Sequence, residues 1–410
     1  MLHYRYKKSE WEGVCVSSKM MSYFDEAMNR IGTDSMKWDG AKERFGQEGL
    51  LPLWVADMDF KAPQPVIDAL KDKVEHGIYG YAAPSPDVNQ SIVNWLSTQY
   101  KWAIREDDIV HVTGVVPAIS NLIRTFTEEE DEIIIQTPVY YPFYDVIEKN
   151  RRKVVKNPLL LENEHYKMDF DGLESVITDK TKMLILCHPH NPGGRVWSEE
   201  ELSKLAEICE KHNLYVISDE IHADLLFDGY RHIPFARVNE SFENRVFTAL
   251  APTKTFNLAG VQGAYVVIKD ATLRLRYRQT LASTFVGANM FSQVATKAAY
   301  DHGLPWLKEL MAYIQDNYKL VEDYLSTHMP KIKPMKPQGT YLLWIDFEGI
   351  GLTAEERKKW LLEDAKLAFN HGPIFGDEGE HFERMNLATS RETLMKALDQ
   401  LHAAYKQKHF

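Results

Sequence analysis

Short apolar runs alternate with helical patterns between about residue 105 and residue 268, and this alternation is the strongest constraint on the fold. Several runs consist almost entirely of Val, Ile and Leu, as in strands that are covered on both faces of a sheet. Strands separated by helices indicate βαβ units and therefore a mostly parallel sheet. The predicted strands are DIVHVTG, DEIIIQTPV, RKVVKNPL, KMLILCHPH, LYVISDEI, RVFTAL and GAYVVI.

Two helices are predicted around this sheet from local signals. In the segment SEEELSKLAEICEKHN, Ser198 and Glu201 have the spacing of a capping box at a helix start. The apolar residues that follow recur at helical spacing and predict a face that packs on the sheet: Leu202, Leu205, Ile208 and Cys209. A further, shorter helix is predicted near the beginning of the chain, from Phe24 to Arg30.

The pattern changes after about residue 285. Long helical patterns at 304–328 and 353–370 surround two isolated strands at 339–347 and 383–390. Helices and strands that no longer alternate indicate an α+β second lobe.

The chain of 410 residues is too long for one hydrophobic core, so we predict two domains. The large domain is expected to span 64–290. The small domain is expected to combine 22–63 with 291–410. Residues 1–21 contain no long apolar stretch and are expected to be a disordered extension.

Charge and cysteine usage limit the partners and the compartment. The formal net charge of -11 argues against a broad nucleic-acid surface and against an anionic membrane as partner. The three cysteines, Cys15, Cys187 and Cys209, have unrelated spacings, which is typical of a reducing compartment and predicts a cytoplasmic protein.

A metal site was considered where Cys187, His188 and His190 cluster, with Cys209 and His212 further along the chain. The prolines between these residues and their position at a strand end fit a turn better than a set of metal ligands. We therefore predict no metal site.

Ligands of open α/β sheets bind outside the carboxyl ends of the strands, so the residues after each strand are the candidate site. Neither the glycine-rich dinucleotide motif nor the P-loop motif occurs there, which removes the main support for those ligands. The residues that follow the strands are Thr113-Gly114-Val115, Pro138-Val139-Tyr140, His190-Asn191-Pro192, Asp219-Glu220-Ile221-His222 and Thr253-Lys254-Thr255.

This set of side chains suits an aromatic aldehyde cofactor. Lys254 offers an amine that can bond to an aldehyde. Asp219 offers a carboxylate for a protonated pyridine nitrogen, and Asn191 a neutral donor for a ring hydroxyl. Tyr140, which we prefer to its neighbour Tyr141, can cover the flat ring. Taken singly, each residue has an ordinary structural explanation, such as a salt bridge, a helix cap or a turn.

The segment VTGVVPAISNLI adds a place for a phosphate group. A glycine turn leads into a helix there, and the backbone amides of Gly114 and Val115 would point toward a bound anion.

Six ordered segments, TGVVPAI, TPVYYPF, HPHNPGGRVW, SDEIHADL, APTKTFNLAG and RMNLATS, resemble the aspartate-aminotransferase superfamily of fold type I pyridoxal-phosphate (PLP) enzymes. More narrowly, LPLWVADMDF, DEIHADL and TKTFNLAGVQ resemble the MalY/PatB branch, the cystathionine β-lyases. The resemblance implies an α/β fold with a three-layer αβα large domain, a mostly parallel sheet and a smaller α+β domain.

The resemblance also implies roles for the residues at the strand ends. Lys254 would bind the cofactor covalently and Asp219 would pair with its ring nitrogen. Asn191 would contact the ring oxygen and Tyr140 would stack on the ring. The amides of Gly114 and Val115 would hold the phosphate, and Thr253 beside the lysine is included among the cofactor-binding residues.

Two further residues take roles from the same resemblance. Arg384 matches the arginine that binds the substrate α-carboxylate, a task for a bidentate fork. Tyr81, preferred to its neighbour Tyr79, matches a tyrosine that reaches the phosphate of the neighbouring subunit, and it is counted with Lys254 and Asp219 among the catalytic residues. The resemblance therefore implies a homodimer with shared active sites.

Three positions depart from the wider superfamily. Gln262 stands where many members have an arginine on the phosphate, and His222 where many have a tyrosine on the ring oxygen. Both replacements recur in the β-lyase branch, so we keep His222 among the cofactor-binding residues and leave the role of Gln262 open. Ala251 replaces a serine of some relatives and offers no hydroxyl.

The activity implied is an α,β-elimination on cystathionine or a related cysteine S-conjugate that yields a thiol, pyruvate and ammonia. Lys254 would act as the general base on the α-proton. An aminotransferase would use the same residues and is the nearest alternative. A regulatory or ligand-sensing protein on this fold is the alternative of another class, but the segment before the PLP domain lacks a basic recognition helix.

Overall fold

The structure is a computed structural model, and its helices and strands follow the alternation seen in the sequence. The prediction for residues 1–21 lies outside the described residues. The structure describes residues 23–26, 28–83, 85–284, 287 and 289–410.

The strands are short and most belong to two sheets. They are β1 (Leu51–Pro52), β2 (Ile109–Val112), β3 (Glu132–Ile135), β4 (Lys153–Lys156), β5 (Leu160–Glu162), β6 (His165–Lys167), β7 (Thr181–Cys187), β8 (Tyr215–Asp219), β9 (Val246–Leu250), β10 (Ala264–Val267), β11 (Lys333–Pro334), β12 (Leu342–Asp346), β13 (Leu367–Ala368), β14 (Asn370–His371) and β15 (Phe382–Asn386).

The α-helices fill the intervals between these strands. They are α1 (Ala41–Phe45), α2 (Gln64–Glu75), α3 (Pro86–Tyr100), α4 (Val115–Phe126), α5 (Pro142–Glu148), α6 (Phe170–Val176), α7 (Glu199–Lys211), α8 (Pro252–Thr255), α9 (Ala271–Thr284), α10 (Met290–His302), α11 (Leu304–His328), α12 (Ala354–Glu363) and α13 (Arg391–Gln407).

The large sheet has the strand order β2-β10-β9-β8-β7-β3-β4. The pairs on both sides of β10 are antiparallel, and the other four are parallel. Each of the seven strands overlaps one of the seven segments predicted from the apolar runs, and the prediction of a mostly parallel α/β sheet is confirmed.

Both faces of this sheet are buried, as β7 illustrates. Met183 and Ile185 pack into one hydrophobic core, whereas Leu184 and Leu186 pack into another. Because successive side chains of a strand point to opposite faces, the sheet lies between two layers. Helix α4 covers one face and α7 the other, which explains the nearly continuous apolar composition of the strands.

The second sheet is antiparallel and has the order β11-β12-β15-β14. The two predicted strands are present as β12 and β15 and pair directly, with Trp344 opposite Arg384, so the prediction of an α+β second lobe is confirmed. Their pairing is non-local and leaves no signal in either segment alone.

The N-terminal segment joins the C-terminal part of the chain through the parallel pair β1 and β13. This pairing favours a small domain that combines 22–63 with 291–410. Helix α10, at the predicted boundary, lies against α2 and α3. The domain bounds themselves stay a prediction.

Two predicted helices differ from the structure. Tyr23–Asp25 forms a single 3-10 turn and Arg30 lies outside any helix, where its guanidinium binds the carboxylates of Asp57 and Asp59. The helix predicted over 353–370 ends at Glu363, because the following residues pair with β1 as strand β13. In both places a tertiary contact overrides the local pattern.

The capping box was predicted correctly. Ser198 Oγ accepts a hydrogen bond from the Glu201 amide at 3.2 Å, and the Ser198 amide donates to Glu201 Oε2 at 2.8 Å. Among the residues that the structure describes, none of the helices is both long and apolar enough to cross a membrane.

Candidate active site

The ends of three parallel strands bring the predicted site residues to one edge of the large sheet. Asp219 at the end of β8 pairs with Cys187 of β7 on one side and with Ala249 of β9 on the other. Asn191 follows β7 by four residues, and Lys254 follows β9 by four residues. Parallel strands end at the same edge, so the three side chains lie in one region.

Lys254 lies on the one-turn helix α8, which begins with a proline in a position that needs no amide donor. Its Nζ donates a hydrogen bond to the carbonyl oxygen of Ala56 at 2.5 Å. The hydroxyl of Tyr341 donates to the same oxygen at 3.0 Å. The amine is therefore oriented by a segment that lies almost two hundred residues away in the sequence.

The surroundings of Lys254 bring the pKa of its ammonium group close to neutral pH. Burial lowers the pKa of Lys254 to about 8, and the positive charge of Arg384 acts in the same direction. The carboxylates of Asp57 and Asp219 oppose this shift. An amine with such a pKa is unprotonated in a useful fraction at pH 7 to 8 and can accept a proton.

Asp219 is buried and lies beside this amine. Burial raises the pKa of Asp219 to about 7, against the opposing effects of the Ile221 amide and of Lys254. The Ile221 amide donates to Asp219 Oδ1 at 3.2 Å. A carboxyl group in such a place ionises fully when a cation binds to it, and a protonated ring nitrogen is a suitable cation.

Arg384 reaches the site from the second sheet. Its Nη1 donates to Asn191 Oδ1 at 2.8 Å and its Nη2 to Asn370 Oδ1 at 2.5 Å. The guanidinium lies 4.9 Å from the ring centre of Phe375. Its Nε has no hydrogen-bond partner among the described residues, so a donor is left for a ligand carboxylate.

Burial lowers the pKa of Arg384 to about 10, and the guanidinium is still positively charged at neutral pH. A buried cation without a carboxylate partner is unfavourable, which makes an anionic ligand a strong stabiliser of this site. The described residues that contact Arg384 through hydrogen bonds are neutral amides and a backbone carbonyl, on Asn191, Asn370 and Trp54.

Tyr140 and His222 lie close to these charges. Burial raises the pKa of Tyr140, and the charges of Arg384 and Asp219 both act on its hydroxyl. Burial lowers the pKa of His222 to about 3, so the imidazole is neutral. Its Nδ1 has no partner among the described residues and is available to a ligand.

The predicted phosphate site is the start of α4. Gly114 precedes the helix in an extended conformation, with φ -179°, and provides no side chain to cap it. The first amides of a helix lack intrahelical acceptors and carry the positive end of the helix dipole. The first turn contains no acidic residue that would compete with an anion.

The remaining residues around the lysine differ in exposure. Thr253 is half-buried beside Lys254, and Ala251 is buried at the start of α8. Gln262 is exposed in a left-handed conformation with φ 57°.

Tyr81 is not brought into the site of its own chain. Its side chain is fully exposed. The neighbouring Tyr79 has partners within the chain, since its hydroxyl donates to the Val74 carbonyl at 2.8 Å and its ring lies 5.9 Å from Phe291. The role of Tyr81 in a neighbouring subunit stays a prediction.

The sequence interpretation assigned no role to Ala56 and Tyr341 beside the amine of Lys254, nor to Asn370 beside Arg384. Tyr341 and Asn370 belong to the second lobe, and no motif links them to Lys254. The segment LWVADMDF did carry a signal, because Asp57 and Asp59 interrupt an apolar run and are bound by Arg30 and by the buried Lys37.

The donor set fits pyridoxal phosphate. An amine with a lowered pKa, a buried carboxyl group and a helix start without acidic residues match its aldehyde, ring nitrogen and phosphate. Nδ1 of His222 and Nε of Arg384 find no hydrogen-bond partner within the described part of the chain and add buried polar atoms that a cofactor with bound substrate would satisfy.

Comparison with known proteins agrees with this chemistry. Residues 48–401 match the family model of aminotransferase class I and II. Cystathionine β-lyase PatB of Bacillus subtilis is 42% identical, over 93% of this chain and 99% of its own length.

Two solved structures have the same fold. A PLP-bound putative aminotransferase from Clostridium difficile has a TM-score of 0.91 and 42% identity, over 93% of this chain and 99% of that chain. Cystalysin from Treponema denticola, which contains pyridoxal 5'-phosphate, has a TM-score of 0.92 and 35% identity, over 95% of this chain and 100% of that chain.

Proposed function

The chain belongs to the class I and II aminotransferase family of PLP-dependent enzymes, in the branch of PatB and MalY, and we propose that it is a carbon–sulfur β-lyase. Its substrates would be cystathionine or related cysteine S-conjugates, and its products a thiol, pyruvate and ammonia. The observation that carries the proposal is the meeting of Lys254, Asp219 and Arg384 at one sheet edge, in a chain whose near full-length relatives include a cystathionine β-lyase.

Seven residues would hold the cofactor directly, and Thr253 beside Lys254 is the predicted eighth. Lys254 would form the covalent bond, and Asp219 would pair with the ring nitrogen. Asn191 and His222 would lie at the ring oxygen, and Tyr140 on the ring face. The amides of Gly114 and Val115 would bind the phosphate. When bound, PLP supplies an electron sink that acidifies the α-proton of an amino acid and allows its β-substituent to leave.

The protein's own groups would perform the binding and proton-transfer steps. Arg384 would bind the α-carboxylate through its free Nε and through donors that Asn191 and Asn370 hold in place. Lys254, with a pKa of about 8, would take the α-proton as general base. Asp219 would keep a positive charge on the ring nitrogen by remaining ionised beside it.

We also propose that the protein is a homodimer in which Tyr81 completes the site of the partner. The exposure of Ile78, Tyr79 and Tyr81 within four residues supports this assignment, because neighbouring exposed apolar side chains are typical of a surface that a partner covers. The two described cysteines, Cys187 and Cys209, are both free and buried, which supports a cytoplasmic location.

Pyruvate release from L-cystathionine tests the lyase assignment. The purified protein is supplied with PLP and with no keto acid that could accept an amino group. Steady release of pyruvate with equal amounts of thiol and ammonia supports the lyase. Product that appears only after a keto acid is added would assign an aminotransferase, and binding of amino acids without turnover would indicate a ligand sensor.

A further inference from the structure

Asp224 connects three segments that meet behind Lys254. It lies in the turn after β8, five residues beyond Asp219. Its Oδ2 accepts a hydrogen bond from Thr255 Oγ1 at 2.7 Å. Its Oδ1 accepts bonds from Trp95 Nε1 at 2.9 Å and from the Tyr100 hydroxyl. The two oxygens therefore bind different elements, α8 on one side and α3 on the other.

Thr255 is the residue directly after Lys254, and its side chain is fully buried. Helix α8 has only four residues, and such a short helix has little stability of its own. The hydrogen bond from its last residue, Thr255, to the Asp224 carboxylate therefore contributes much of the stability of α8. Any rotation of this turn that broke the Thr255 bond would also move Lys254.

The opposite side of the carboxylate is rigid. Trp95 and Tyr100 are both buried on α3, and the ring of Trp95 stacks on Tyr300 at 4.9 Å. The hydroxyl of Tyr300 in turn forms a hydrogen bond of 3.0 Å with Tyr265 of β10. Asp224 is therefore held from the core and extends this rigidity to α8.

The charge of Asp224 is not balanced by a basic side chain, since no Lys, Arg or His forms an ion pair with it in the part of the chain that the structure describes. Three neutral donors satisfy it instead. A partly buried carboxylate with this arrangement is costly if its only task is to stabilise the fold, because an apolar side chain could fill the same space.

We propose that Asp224 is a positioning residue. Its hydrogen bond to Thr255 holds Lys254 in its place beside Asp219. Trp95 and Tyr100 hold the Asp224 carboxylate from the other side. The proposal rests on the proposed function, in which Lys254 binds the cofactor. The proposal predicts that loss of the Thr255–Asp224 hydrogen bond weakens PLP binding at Lys254. Loss of the Tyr100–Asp224 hydrogen bond should mainly lower the stability of the fold.

Three variants separate these effects. Thr255→Val removes the hydroxyl group but keeps a side chain of nearly the same shape, whereas Thr255→Ser keeps the hydroxyl group. Tyr100→Phe removes one bond to the other oxygen of the same carboxylate and serves as the matched control. Each variant is purified with PLP and compared with the unchanged protein by three measurements.

The first measurement is the fraction of chains that carry the cofactor on Lys254 after borohydride reduction, determined by peptide mass spectrometry. The second is the dissociation constant for PLP, and the third is the melting temperature without PLP. We expect Thr255→Val to bind PLP about tenfold more weakly, with a matching loss of labelled Lys254 at limiting PLP. Thr255→Ser should match the unchanged protein in PLP affinity and in labelling of Lys254. Tyr100→Phe should have a lower melting temperature, with a PLP affinity within about twofold of that of the unchanged protein.

Equal PLP affinity and labelling in Thr255→Val and the unchanged protein would overturn the proposal, and so would an equal loss in Thr255→Val and Tyr100→Phe. If Thr255→Val does not fold, Thr255→Ala takes its place, because it also removes the hydroxyl that bonds to Asp224, and equal PLP affinity in Thr255→Ala and Thr255→Ser would then overturn the proposal. Failure of the proposed function is a separate result, in which the unchanged protein itself carries no cofactor on Lys254.

Discussion

Nη1 of Arg384 donates a hydrogen bond of 2.8 Å to Oδ1 of Asn191, and this bond joins the two sheets of the protein at the active site. Arg384 belongs to the antiparallel sheet of the second lobe, and Asn191 follows a strand of the large sheet. The proposed carboxylate-binding residue and a proposed cofactor-binding residue are thus in direct contact. In the proposed function, this hydrogen bond would link substrate binding at one sheet to the cofactor position at the other.

Replacement of Arg384 by Lys is expected to raise the KM for L-cystathionine about tenfold or more, with a smaller loss in kcat. An ammonium group cannot form the bidentate contact with a carboxylate and also keep the bond to Asn191. Steady-state kinetics with L-cystathionine measure the effect. Arg391→Lys is the control, since Arg391 pairs with Asp316 at the surface. An unchanged KM in Arg384→Lys would remove Arg384 from the substrate site.

Replacement of Lys254 by Ala is expected to abolish the covalent bond to PLP and to reduce kcat about a hundredfold or more, because the general base is lost. The visible spectrum with PLP and pyruvate release measure the two effects. Lys211→Ala removes an exposed lysine paired with Glu174 and should change neither. Retention of both properties in Lys254→Ala would refute its assignment.

The pH dependence of turnover should follow Lys254. Burial holds the pKa of its ammonium form at about 8, so the amine is protonated and inactive as a base at lower pH. We expect kcat to rise with pH up to about 8 and then to level off. A profile that falls between pH 6 and pH 8 would contradict this role.

Asp57→Asn should move this profile to lower pH. The negative charge of Asp57 raises the pKa of Lys254, and its loss also leaves Arg30 with one carboxylate partner, Asp59, instead of two. Both changes favour the neutral amine. The midpoint of the kcat profile measures the shift, and the melting temperature monitors the fold. A midpoint at higher pH would mean that Asp57 does not act on Lys254.

Mixing two inactive variants tests the shared active site. In a dimer with shared sites, each site takes Lys254 from one subunit and Tyr81 from the other. A dimer of one Tyr81→Ala subunit and one Lys254→Ala subunit therefore contains one intact site and one site that lacks both residues. After exchange of subunits we expect about a quarter of the unmixed activity of the original protein, since half of the dimers are mixed. No recovery, with subunit exchange verified by native mass spectrometry, would show that Tyr81 does not serve the partner.

The site could be located from the sequence because its main residues directly follow strands of a parallel sheet. Asn191, Asp219 and Lys254 each come a few residues after an apolar run, and strand order then brings the ends together. The contacts of Lys254 with Ala56 and of Arg384 with Asn370 could not be located in this way. Those pairs join segments whose approach depends on the packing of the second lobe.

The local pattern also failed where pairing was non-local. Residues 364–370 continue the helical pattern of α12, but the burial of Leu367 and Ala368 against β1 stabilises a strand instead. The segment before Arg30 was expected to be helical, and its ion pairs with Asp57 and Asp59 determine its course. A sequence pattern that covers one helix turn cannot show ion-pair partners that lie about thirty residues away.

The sequence by itself determined the strands of the large sheet, the start of α7 and the identity of the residues at the carboxyl edge of the sheet, because hydrophobic periodicity and capping act over a few residues. Only the tertiary structure decided the chemical state of those residues. The lowered pKa of Lys254, the raised pKa of Asp219 and the contact between Arg384 and Asn191 arise from burial and from charges that distant segments bring together.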